Sequence, residues 1–272
     1  MKSEVFNFGR FWNYFKYDLK QMWRNHSKPA LFIGGMELFL YVVWVLLALV
    51  FTGHWSGPGI AARITVFVVA FTVLELYQTR TYGHLTDPQK GSAWLMVPAS
   101  TLEKFISMMI ITLIVIPVLF LVAFFAIDSI LALVDPTLGD SILGMGVNGL
   151  QKLMDEMAGM SGSSMVHLSV GSLIWIWLCG FFANFLYFLL CGICFKRYKI
   201  LGAIGILFLL SIVMSIVAAA TVPSWSENLV YLEDSQAADF MTRTFNIIGI
   251  WTAVLAVGEA VGIYFRIKTL TH

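Results

Sequence analysis

Six apolar runs govern what this chain can become. They cover about Pro29–Phe51, Ile60–Tyr77, Phe105–Ile127, Leu168–Phe195, Ile200–Val222 and Phe245–Phe265. Crossing a bilayer takes roughly 20 apolar residues of helix. No water in the hydrocarbon satisfies an open backbone, so single spans of this kind must be helical. Charged residues make up only 12% of the 272-residue chain, and the mean hydropathy is +0.82; soluble domains carry about 25% charge. The expected fold is therefore an all-α integral membrane protein with six transmembrane helices spread over residues 29–272. No polar stretch is long enough to build a soluble core. The second run is short and interrupted by Arg63, and the fourth is long enough to extend beyond the bilayer.

Residues 1–28 form a separate N-terminal element. Phe8, Phe11, Trp12, Phe15, Leu19, Met22 and Trp23 recur at helical spacing, while Arg10, Lys16, Lys20 and Arg24 lie mainly off that face. This pattern predicts an amphipathic helix in the membrane interface, aromatic side in lipid and basic side toward anionic head groups. A helix packed on the protein's own surface is the alternative. The first residues lack the short apolar core and cleavage site of a secretory signal.

Lys and Arg set the orientation. With both termini cytoplasmic, 14 of the 17 basic residues fall on inner segments; only Arg63, Lys152 and Arg243 fall outside. The outer connections are residues 128–167, rich in Gly, Ser and Met, and 223–244, which hold Trp225 and Tyr231.

The inner connection between the second and third runs is longer than a turn requires. Trp94-Leu95-Met96 is an apolar tip, and Pro98 pushes Val97 out of helical geometry. Ser100 followed by Glu103 is a capping box that opens the next helix. An apolar tip on a structured connection suits docking of a soluble partner.

Chemistry of other kinds leaves little trace. The dipeptide Gly-Lys never occurs, so there is no phosphate-cradling loop of the Gly-x-x-x-x-Gly-Lys type, and His-Glu-x-x-His is absent. The chain is expected not to be an enzyme and to bind no cofactor itself. Cys179, Cys191 and Cys194 share one apolar run and read as small hydrophobes. Glu37, Glu75 and Glu259 are acids within spans, placed toward the inner half; they read as interhelical hydrogen-bonding groups, with a proton or substrate relay as the alternative. Asn184 reads as interhelical glue. Met154, Met157 and Met160 have a spacing that soft Cu(I) would accept, but they are equally the apolar face of a short helix, and no metal site is expected. Pro117 predicts a kink midway through the third span.

Leu95-Met96-Val97-Pro98-Ala99-Ser100-Thr101-Leu102-Glu103-Lys104-Phe105 resembles the Leu-Pro-Ala/Val-Ser…Lys segment of ABC-2 type transporter permeases, most closely those of Bacteroidetes-type bacteria. The order of elements, with an amphipathic N-terminal helix and six spans, is similar over the whole chain. The resemblance implies a permease that dimerises in the bacterial inner membrane and recruits a cytoplasmic ATPase, which alone would bind ATP and Mg. It implies a coupling helix over residues 88–96, opened by Asp87-Pro88, with Trp94, Leu95 and Met96 as apolar anchors and Pro98, Ser100, Glu103 and Lys104 completing the docking segment. It also implies re-entrant helices in 223–244. The 128–167 insertion is not part of the family pattern. The implied activity is export of a hydrophobic or amphipathic cargo such as a lipid, peptide or drug. A membrane-embedded enzyme using the intramembrane glutamates, or a non-transporting immunity or accessory protein, is the alternative.

Overall fold

The computed structural model describes residues 6–86, 91, 94, 96–146, 149, 170–229 and 234–270, and no strand occurs among them. The helices are α1 (Phe8–Gly34), α2 (Met36–Thr52), α3 (Ile60–Thr81), α4 (Thr101–Ile110), α5 (Ile116–Val134), α6 (Val170–Cys194), α7 (Lys199–Leu229) and α8 (Asp234–Leu270). Five stretches are long and apolar enough to cross a membrane: Leu31–Thr52, Ile60–Thr86, Thr101–Val134, Ile174–Cys194 and Thr242–Leu270. In α7 the stretch Lys199–Val213 is apolar but shorter.

The N-terminal element differs from the expectation of an interfacial helix ending at residue 28. Asn7 caps α1 by accepting from the Gly9 and Arg10 amides. Pro29 costs one backbone hydrogen bond without ending the helix, which runs on to a break at Gly35. Apolar periodicity marks a face but not what covers it. Here Phe11, Tyr14 and Met22 are buried against the bundle, while Phe8, Trp12 and Trp23 on the flank stay exposed.

Contacts fix the helix directions. Arg10 meets Glu103, Asp18 meets Ser107 and Tyr41 meets Asp135. A Cβ on Gly34 would lie 3.0 Å from the Ala123 Cβ. The chain from α1 into α2 therefore climbs alongside α4 and α5 in the same direction. Helix α3 runs against them, through Arg63–Asp128 and Phe67–Phe124. It runs parallel to α6, through Phe71–Phe181 and Glu75–Asn184. Helix α8 follows α6 in turn, with Gly249 against Trp175 and Gly262 against Leu190. Phe105 and Tyr264 rings lie 5.5 Å apart, so the end of α8 and the start of α1 share one end of the bundle, called here the basal end.

Between α3, α5 and α6 an aromatic core gathers Phe71, Phe120, Phe124, Phe181 and Phe185. Without a hydrophobic drive in lipid, such packing and small-residue contacts hold helices together.

Helices α4 and α5 are continuous through a wide π-type turn at Ile111–Val115, with Pro117 the second residue after it. The wide turn answers the proline's missing N–H and its clash with the preceding turn.

Two boundaries are corrected. Residues 223–244 are mostly not a connection: α7 continues through Pro223 to Leu229 and α8 begins at Asp234, so the expected outer loop is taken up by helix extensions. Helix α3 extends past Tyr77 to Thr81, and a 3-10 turn carries it to Thr86. The expected short helix at 147–160, with Met154, Met157 and Met160, lies outside the described residues apart from Gly149.

Candidate functional site

Local sequence builds the basal site first. The capping box forms as its spacing requires: Ser100 Oγ accepts from the Glu103 amide at 3.2 Å, and Glu103 accepts from the Ser100 amide at 2.8 Å. A cap uses only part of a carboxylate. The remaining capacity of Glu103 is filled from α1, by the Asn7 amide at 2.8 Å and by Arg10 Nε at 2.8 Å to Oε2 and Nη2 at 2.8 Å to Oε1. Glu103 is fully buried, and its fork-to-carboxylate pairing with Arg10 is the stronger kind of ionic hydrogen bond. The residue expected to be a cap is thus also the clasp that fixes the N-terminal helix.

One turn further in, Asp18 accepts from Ser107 Oγ at 2.7 Å and from the Tyr82 hydroxyl at 2.9 Å. It joins α1, α4 and the end of α3 at one carboxylate. Burial pushes the Asp18 carboxyl above its ordinary range, against the pull of its bonds to Ser107 and Tyr82. A raised folded-state value means that the folded protein holds the proton more tightly than the unfolded chain. Asp18 therefore contributes most stability below the ordinary carboxylate pKa and loses it as pH rises through the raised value. Thermal unfolding scans from acid to neutral pH should show a decline that Asp18→Asn flattens; equal slopes in the two proteins would discard this reading.

The tip of the basal connection divides in two. Gly91 and Trp94 are helical; Asp87, Pro88 and Leu95 lie outside the described residues. Trp94 is only 5% exposed. Lys104 donates to the Trp94 carbonyl at 3.1 Å and sets its ammonium 4.6 Å from the Trp94 ring centre. Trp94 is therefore a prop under the tip rather than an outward anchor, because its ring already has a partner in its own chain. Met96 is 82% exposed, and Pro98 is exposed beside it. Lys199, read from sequence only as an orienting charge, donates to the carbonyls of Gly83 and Gly192 and to Thr86 Oγ1, tying the start of α7 to the end of α3.

The intramembrane polar residues separate into two levels. Asn184 reaches the Glu75 carboxylate at 3.4 Å, an interhelical bond of the expected kind. Glu259 lies in electrostatic reach of Tyr187 and Cys191 on α6, and its buried Oε2 has no hydrogen bond among the described residues. Glu37 differs from its expected place toward the inner half. It is buried at the end opposite Glu103, in electrostatic reach of Asp128 and Arg63, because α1 has already climbed most of the bundle before residue 37. There Arg63 pairs with Asp128 at 2.7 Å and donates to the Leu138 and Asp140 carbonyls. Asp128 also accepts the Ile142 amide. Just beyond, Asp135 accepts from Trp55, Tyr41 and Thr137. Burial opposes ionisation of Asp135, yet bonds from Trp55, Thr137 and Tyr41 outweigh it and hold the carboxyl at about 2.

Sequence reasoning did not connect Arg10, Asp18, Asp128 or Asp135 to this scheme. Cys179 and Cys191 are buried and Cys194 is exposed. Among the described residues no cluster of three or more His, Cys, Asp or Glu has the arrangement of a metal site. Comparison with protein-family models, curated proteins and solved structures finds no match.

Proposed function

We propose that this chain is the six-span membrane subunit of an ATP-driven exporter, with both ends in the cytoplasm of a bacterial cell and α7 as the sixth span. A separate ATPase subunit docks at the basal tip, and two permease chains form the working unit. ATP-driven closure of the ATPases pushes on residues 96–100 and tilts α3 and α4 together. The cargo is hydrophobic or amphipathic, in keeping with the few polar groups within the spans.

The observation that carries this reading is an exposed apolar tip on a fixed frame. Met96 and Pro98 project, while Ser100, Glu103 and Lys104 beneath them are committed to caps, a clasp and a prop. Such a frame passes a push into the bundle instead of absorbing it. The resemblance of Leu95–Phe105 to the ABC-2 permease segment supplies the identity of the pushing partner.

Purification of the tagged protein from its native host tests the reading. An ATPase should copurify, and vesicles should show ATP-dependent export; recovery of neither would sink it. Burying a Met side chain is worth about 1.5–3 kcal/mol, so Met96→Asp should lower ATPase recovery roughly tenfold or more with unchanged thermal stability. Trp94→Ala should instead lower thermal stability, since it removes a prop.

A further inference from the structure

The basal end carries a second feature, independent of the docking tip. Helix α6 ends at Cys194 and α7 starts at Lys199, and the reversal is made by Tyr198 in the left-handed region at φ 53°. A bulky residue rarely holds that conformation, which favours glycine or asparagine. Beside it opens a concavity of about 530 Å³ lined by Arg80, Lys196, Tyr198, Lys199, Ile200, Leu201 and Ile204. Among the described residues no acidic side chain lines it. Lys199 is committed inward, but Arg80 and Lys196 are exposed, as is the adjacent Arg197. Ile200, Leu201 and Ile204 make up the apolar part of the lining, with Leu201 69% exposed.

We propose that this concavity binds an anionic phospholipid. Its phosphate sits between Arg80 and Lys196, with Arg197 at the rim. One acyl chain runs along Leu201 and Ile204, and the strained Tyr198 places its ring at the head-group level where aromatic residues favour the interface. Two cations with no acid among the described lining residues, next to apolar side chains at a membrane boundary, match a ligand that is charged at one end and greasy at the other. A free phosphate would use only half of this site. A zwitterionic lipid would set its own cation against Arg80 and Lys196.

Native mass spectrometry of the full-length protein, released from detergent with added phosphatidylglycerol or phosphatidylcholine, tests the assignment. Phosphatidylglycerol should be retained preferentially, and inorganic phosphate at millimolar concentration should not displace it. The R80Q/K196Q/R197Q variant should retain at least about tenfold less. Leu201→Gln should weaken retention without altering the charge. A control with charge removed elsewhere, K28Q/R243Q, should retain lipid as the unaltered protein does. Equal retention of both lipids, displacement by phosphate, or an equal loss in the control would each overturn the site. All substituted residues except Leu201 are cationic surface groups, and monodisperse gel filtration of each variant shows that the fold persists. The outcome does not depend on whether the chain exports anything.

Discussion

Arg63→Met should leave little folded protein. Arg63 is 1% exposed and holds three partners: the Asp128 carboxylate and the carbonyls of Leu138 and Asp140. Removing one member of a buried ion pair strands the other, at a cost of about 3–5 kcal/mol. A domain's whole stability is roughly 5–15 kcal/mol. The nearby Glu37 adds a further acid beside the stranded Asp128. The expected result in detergent is aggregation, or a large fall in the thermal midpoint. Arg63→Met with Asp128→Leu should recover much of the loss, since an apolar pair of similar volume avoids the stranded charge. A single variant as stable as the parent would show that the pair does not hold these helices together.

Gly192→Val should be nearly as damaging, for steric reasons. A Cβ at Gly192 would stand 2.4 Å from the Thr79 carbonyl oxygen and 2.8 Å from its Cα. Both are backbone atoms that cannot swing away, so α6 and α3 must separate. Overpacking a fitted interface costs about 1–3 kcal/mol or more, and here the separation also stretches the Glu75–Asn184 bond and the Lys199 bridge between the Gly192 and Gly83 carbonyls. Gly192→Ala should show a smaller effect of the same sign. Gly180 has nothing among the described residues within 4 Å of an added Cβ, so Gly180→Ala is the neutral control. Comparison of thermal midpoints decides the matter; equal midpoints for Gly192→Val and Gly180→Ala would dismiss the close approach.

The parts legible in the sequence were those with a local signature. Runs of 20 apolar residues announced the helices, and Ser100 with Glu103 announced the cap, because the chemistry of each lies within a few residues. Asn184 could be read as interhelical glue since an amide in lipid has few other uses. Arg10 and Glu103 are 93 residues apart, and Arg63 and Asp128 are 65 apart. Nothing local to either residue says which partner it meets. Trp94 misled for a related reason. An apolar residue on a loop is equally suited to a partner protein or to its own bundle, and Lys104, ten residues on, decides the matter by drawing the ring inward. In α1, Phe11 and Trp12 are neighbours with opposite fates, one in the core and one outside.

The wide turn at Ile111–Val115 sets the phase of the third span. One extra residue in a helix rotates everything beyond it by about 100°. Below the turn, Glu103 must point at Arg10; above it, Asp128 must point at Arg63. A regular helix through Thr101–Val134 that faced one of these partners would point about 100° away from the other. The turn thus works as a clutch plate between two halves that are each locked to a different neighbour. Any movement that slid it along the helix would rotate the residues it passed, while those still locked at either end kept their grip.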